Sequence, residues 1–290
     1  MREVPGQLLP VNGRTVYVEQ SGRTGDPGQP GAGKHVVFEA GSGCGRTFWD
    51  PLLPLLADEA HLVTYDRAGR VRTGPLSTPL TVDGMADDLV ALVDAVVPGD
   101  FVLVAHSLGG LVTRRAAERL GTRLRGLLLI DTLPENSPVY DEVAWAKTTQ
   151  QVDRVLAVGQ ALSRFRPLGR LFSANVRPYY SADTYETMLA EDFTPAGTAQ
   201  TRREMQAVAA AIPQFRADPP KPPACPAILL SAAKPAKGRE RQNALTREHQ
   251  RRYAESLPDC RYESVDSAHL VQAEQPELVA ARIRELLAHA

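Results

Sequence analysis

Short apolar runs alternate with amphipathic stretches over most of this chain, and no other feature restricts its fold as much. Residues 35–38, 61–65, 101–105, 124–130, 227–231 and 261–265 read as strands. The clearest of them, FVLVA and the LLLI that ends the fourth, are apolar at consecutive positions, the pattern of a strand buried on both faces. Helical segments lie between, at residues 46–57, 81–97, 108–120, 242–257 and 276–288. In the second of these Val82, Met85, Ala86, Leu89, Leu92, Val93 and Val96 recur at three and four and make one apolar face. Pro276 opens the last helix, where its missing N–H costs nothing. Ahead of all this, Asn12-Gly13 joins residues 7–11 to 14–20 as a hairpin, and residues 22–34, rich in Gly and Pro, read as a surface loop. Strands joined by crossover helices make a mostly parallel sheet with helices on both faces.

The alternation stops near Leu133 and returns after Pro220. Residues 133–220 carry no buried-strand run. They read as short amphipathic helices holding Trp145, Phe165, Phe172, Tyr179, Tyr180, Tyr185, Phe193 and Phe215, broken up by Pro167, Pro178, Pro195 and Pro213. The PPKPPACP run, residues 219–226, then acts as a stiff hinge. The expected organisation is therefore an α/β core of residues 1–132 and 221–290 with a helical cap, 133–220, inserted at one edge. A chain of 290 residues suits one such core with its insertion. The cap aromatics suggest a largely apolar pocket, with core packing as the equal alternative.

Composition removes several classes of partner. There are 33 basic and 34 acidic side chains, a net charge of −1, so no concentrated basic surface for nucleic acid is expected. No apolar run is long enough to span a bilayer, and MREVPGQLLPVNG lacks the apolar core of a secretion signal. Cys44, Cys225 and Cys260 are odd in number and widely spaced, which suits neither a disulfide framework nor a zinc knuckle. They read as small packing residues in a reducing cytoplasm, with Cys44 placed in a Gly-rich loop where it can reach solvent.

The chemistry concentrates at Ala105-His106-Ser107-Leu108-Gly109-Gly110, which follows a buried strand and opens a helix. A sharp turn there strains the serine and lifts its Oγ clear of the sheet, and small residues two positions to either side avoid a clash. Ser107 is the candidate nucleophile; the plain alternative is a helix cap. Alanine at 105 replaces the usual first glycine and is the next smallest side chain. A serine hydroxyl needs a base. Of six histidines, only His269 stands in a loop just past a late strand, whereas His106 neighbours the serine and is expected to point elsewhere on the turn. The acid that orients the imidazole is less determined. Asp131 ends the strand after the nucleophile strand and is favoured. Glu240, nine residues beyond the 227–231 strand, is the alternative, and Glu135, Asp259 and Asp266 are outsiders. Donors for an oxyanion are the N–H of Leu108 and, from the loop after VVFE, that of Ser42, where Gly41 and Gly43 permit close approach.

Taken together, VVFEAG (36–41), YDRAG (65–69), VAHSLGG (104–110), LLIDT (128–132) and SAHLVQAEQPELV (267–279) resemble the α/β-hydrolase superfamily along nearly the whole chain outside the cap. The resemblance implies an eight-stranded, mostly parallel sheet with a helical cap. It also implies a serine–histidine–acid triad that uses no metal or cofactor. Two departures stand out: Ala40-Gly41 in place of His-Gly, and Val71 where relatives often keep glycine. The expected substrate is a small, largely apolar ester, lactone or thioester, with lyase chemistry on the same triad or plain ligand binding as the alternatives.

Overall fold

The computed structural model describes residues 6–23, 33–74, 76, 78–162, 169–171 and 173–289. Most of the expected surface loop at 22–34 lies outside them. Eight strands form one sheet: β1 (Gln7–Val11), β2 (Arg14–Gly22), β3 (His35–Glu39), β4 (His61–Asp66), β5 (Phe101–His106), β6 (Leu124–Ile130), β7 (Ala227–Ala232) and β8 (Cys260–Val265). Their order is β1-β2-β4-β3-β5-β6-β7-β8. The hairpin strand β2 pairs antiparallel with β1 and β4, and every later pair is parallel. This is the open α/β-hydrolase sheet.

Because side chains alternate along a strand, β5 feeds two cores at once. Phe101, Leu103 and Ala105 join the apolar cluster that holds α2 (Val82–Val96) and α3 (Leu108–Leu120). Val102 and Val104 join the opposite cluster, built with α1 (Leu53–Leu56) and the last helix, Pro276–Ala288. Residues 101–106 are all buried, which is why the strand reads as a continuous apolar run.

Two sequence expectations are corrected. Residues 46–57 are not one helix: a 3-10 turn at Arg46–Trp49 gives way to the short α1. Pro51 and Pro54 each remove a backbone donor there, so the ladder cannot run through. The reverse happens at Pro213. It was expected to break the cap, yet helix α6 (Pro195–Ala217) continues through it. Burial of Ala211, Ile212 and Phe215 offsets the lost hydrogen bond.

Between β6 and β7 the described residues contain α4 (Val143–Leu162), α5 (Ala182–Glu191) and α6 with short 3-10 turns, and no strand. Helix α4 packs on α6. Beyond β7, α7 (Glu240–Ser256) covers the β7–β8 side of the sheet. Among the described residues no helix is long and apolar enough to cross a membrane.

Candidate active site

Ser107 lies between the last residue of β5 and the first of α3, with φ 53° and ψ −117°. Such a backbone is costly for a residue with a side chain and persists only where the surroundings impose it. Here the Ser107 N–H donates to the Ile130 carbonyl at 2.9 Å and the Thr132 hydroxyl donates to the Ser107 carbonyl at 3.3 Å. The two glycines that follow are required by space. A Cβ on Gly109 would stand 2.3 Å from the Glu39 carbonyl oxygen, and one on Gly110 would stand 1.8 Å from Thr132 Oγ1. Gly109→Ala is therefore expected to destabilise the fold by about 1–3 kcal/mol in urea unfolding, because a backbone atom cannot step aside. A wild-type midpoint would contradict this packing. Leu108 begins α3, so its N–H has no acceptor within the helix and sits at the positive end of the helix dipole.

Asp131 leaves β6 with φ 44°. Its Oδ2 is 2.6 Å from His269 Nδ1, while Oδ1 accepts from the Ala232 N–H at 3.2 Å and from Gln250 Nε2 at 3.0 Å. Burial alone would raise the Asp131 carboxyl, but these donors and the His269 charge hold it below its ordinary range. Burial likewise pulls His269 down; the hydrogen bond and charge of Asp131 outweigh it and raise the imidazole above its usual value. The structure brings Asp131 to His269 and not Glu240, which starts α7, is exposed and accepts the Gly238 N–H at 3.1 Å. Of the outsiders, Glu135 is held by Arg114 at 2.7 Å and Asp266 faces Lys234 at 3.4 Å.

His106 does not point away from the site as expected. Its ring lies 4.6 Å from the His269 ring, and its Nε2 is 2.9 Å from the His269 carbonyl oxygen. A carbonyl only accepts, so Nε2 carries the proton. Burial, with the charge of His269 beside it, pushes His106 down to about 3, so it is neutral at ordinary pH and braces the loop that presents His269. Gln250 was also missed. It is fully buried, donates to Asp131 and to the Thr132 carbonyl at 2.7 Å, and accepts from Ser231 Oγ at 2.5 Å. A glutamine in a strongly polar helix carries no sequence signal for this.

Ser42 follows β3, in a loop held by buried charge. Arg67 donates to the carbonyls of Ala40 at 2.7 Å and Gly41 at 2.6 Å, and pairs with Glu39 at 2.5 Å. Both charged residues were visible only as letters in the VVFEAG and YDRAG stretches. Cys44 in the same loop is buried, not open to solvent, and burial pushes its thiol up to about 12.

Ser42, Ser107 and His269 open on one cavity of about 590 Å³. Its other walls include Leu133 and Tyr140 at the start of the insertion and Met205, Val208 and Ile212 from α6. Of the described aromatics in the insertion, Tyr179, Tyr180, Tyr185, Phe193 and Phe215, none lines this cavity. Tyr180, Tyr185 and Phe215 are core, Phe193 packs half-buried against it and Tyr179 is exposed, so the core-packing alternative describes most of them. The side chains of Trp145, Phe165 and Phe172 lie outside the described residues. Tyr140 was not among those expected. Ser107 and His269 share no hydrogen bond in this structure, a gap usual without substrate.

Known proteins share this fold. RutD of Azorhizobium caulinodans is 32% identical over 101 residues, 35% of this chain and 38% of that protein. The chain thus matches well under two thirds of that relative's length. Over nearly its whole length it superposes on solved structures. ALR0039 from Nostoc sp. PCC 7120 gives a TM-score of 0.74 at 18% identity, covering 99% of each chain. The enol-lactonase from Burkholderia xenovorans LB400 gives 0.63 at 19%, covering 97% of this chain and 100% of that one. At these identities the likeness shows the fold. Residues 36–282 match the alpha/beta hydrolase family, a span that runs from β3 through the elbow to the final helix, and the chain belongs to that family.

Proposed function

We propose that the chain is a serine hydrolase that cleaves a carboxylic ester, lactone or thioester through a Ser107–His269–Asp131 triad and an acyl-enzyme. The observation that carries this is the 2.6 Å contact between Asp131 and His269 at the cavity that also holds Ser107. An ionised Asp131 only accepts, so His269 Nδ1 bears the proton and its Nε2 lone pair is left to receive the Ser107 proton. Ser107 Oγ then attacks the carbonyl carbon. The oxyanion is received by the N–H groups of Leu108 and Ser42, and the imidazolium returns its proton to the leaving group. Water, deprotonated by the same nitrogen, releases the acid and restores Ser107.

Residues 133–220 act as the cap in this reading. Tyr140, Met205, Val208 and Ile212 wall the cavity above Ser107, which favours a small substrate with an apolar acyl or alcohol part. The fold shared with an enol-lactonase keeps lactones in the substrate class. The three free cysteines suit a reducing cytoplasm. The direct test pairs a fluorophosphonate label with p-nitrophenyl esters of graded chain length. Labelling at Ser107 together with ester turnover is expected; a ligand-binding protein with an idle triad would show neither.

The titration of His269 supplies a second check. The base works only when neutral, so kcat/KM is expected to fall as pH drops through the free-enzyme pKa of His269. Asp131 raises that pKa above the ordinary 6.5, so the half-loss is expected above pH 6.5. A kcat/KM that stays flat down to pH 6 would remove His269 from the role.

A further inference from the structure

Helix α6 sends one carboxylate out of the insertion and under the Ser42 loop. Glu204 is fully buried, and both of its oxygens are occupied. Oε2 accepts the Gly43 N–H at 2.8 Å and Arg70 Nη2 at 2.9 Å. Oε1 takes Arg67 Nε at 3.3 Å and the Gln200 amide at 3.4 Å. Burial would push this carboxyl up, but Arg67, Arg70 and the Gly43 N–H outweigh it and hold Glu204 ionised. A buried ion network is a poor source of net stability, since apolar residues in its place serve as well or better. Its geometry has a different consequence.

The Ser42 N–H belongs to the peptide whose carbonyl is Gly41. In a trans peptide the two groups point in opposite directions. Arg67 holds the Gly41 carbonyl at 2.6 Å on one side, which aims the Ser42 N–H to the other and polarises it as a donor. The next peptide is held by Glu204 through the Gly43 N–H. The same carboxylate also grips Arg67 itself, so both peptides flanking Ser42 are referred to one side chain of the inserted helix. Thr201, one turn before Glu204, closes the contact: a Cβ on Gly43 would stand 3.1 Å from its methyl group.

We propose that Glu204 is a positioning residue for the oxyanion site. It sets the Ser42 peptide through Arg67 and Gly43, so that seating α6 and completing the oxyanion donors are one event. This rests on the hydrolase reading above. The substrate never touches Glu204. What it controls is the placement of a donor that matters only once negative charge develops, so its loss weighs on kcat and leaves KM nearly unchanged.

The test compares Glu204→Gln with Glu191→Gln in the full chain. Glu191 ties the same insertion to the core through Arg46 at 2.5 Å and Arg72 at 2.7 Å, but it reaches neither Arg67 nor Gly43. With p-nitrophenyl butyrate, Glu204→Gln is expected to lower kcat by about 10- to 100-fold while KM moves less than about threefold. Affinity for phenylboronic acid, which forms a tetrahedral adduct on an activated serine, is expected to fall in step with kcat. Glu191→Gln is expected to keep wild-type kcat even where its melting temperature drops as far. Wild-type kcat in folded Glu204→Gln, a change confined to KM, or an equal kcat loss in Glu191→Gln would overturn the proposal. Should Glu204→Gln not fold, Glu204→Asp keeps the charge but is one methylene too short for Gly43. The same kcat loss is then expected, and wild-type kcat again refutes. Failure of the hydrolase reading would show separately, as ester turnover that persists in Ser107→Ala.

Discussion

Ser107→Ala is expected to fold as the wild type does and to lose roughly six orders of magnitude in kcat. The fold should survive because the strain at φ 53° is imposed by the backbone bonds to Ile130 and Thr132, which the substitution leaves in place. Among the described residues the Oγ has no hydrogen-bond partner, so no acceptor there is orphaned by its removal. What disappears is the group proposed to form the acyl-enzyme. Residual turnover, from the oxyanion donors and binding alone, should stay roughly 10³–10⁴ above the rate in water. Stopped assays on pure protein with p-nitrophenyl esters, alongside circular dichroism, measure both halves. Near-wild-type turnover would sink the assignment of the nucleophile.

Asp131→Asn is the second large effect, roughly 10⁴ in kcat. Its mechanism can be read from the donors around the carboxylate. Both the Ala232 N–H and Gln250 Nε2 donate to Oδ1, so an asparagine there must keep its oxygen at that position. Its NH₂ then faces His269 Nδ1, which has to accept, and the ring proton moves to Nε2 where the lone pair is needed. Two readouts should move together. The rate falls, and the acid limb of kcat/KM shifts to lower pH, because the carboxylate that raised His269 has lost its charge. Glu240→Gln, at the exposed start of α7, is expected to change neither. The opposite pattern would transfer the orienting role to Glu240.

Much of this architecture was legible because buried parallel strands leave a local mark. FVLVA and LLLI lie between two apolar layers, so both faces of each strand must be apolar and the run shows in the letters. The helix at Val82–Val96 is legible for the related reason that one face only is buried. The turn at Ser107 is legible because sterics restrict residues 109 and 110 to glycine directly after a buried strand. Where contacts rather than local geometry decide, reading failed. Pro213 stays helical through burial of its neighbours, Cys44 is covered by elements distant in the chain, and His106 turns toward a residue 163 positions away.

The choice between Asp131 and Glu240 shows the boundary most clearly. Sequence alone determined that an acid had to leave the edge where parallel strands end, and both candidates met that condition. Only the tertiary structure decided which of them meets His269, because α7 turns Gln250 rather than Glu240 toward the site, and Gln250 donates to the Asp131 carboxylate that contacts His269. The Arg67–Glu204 clamp lies wholly on that far side. Its two charges are 137 residues apart, and each is unremarkable in its own stretch. A buried charge is tolerated only beside its partner, and partnership across such a separation is a property of the folded chain.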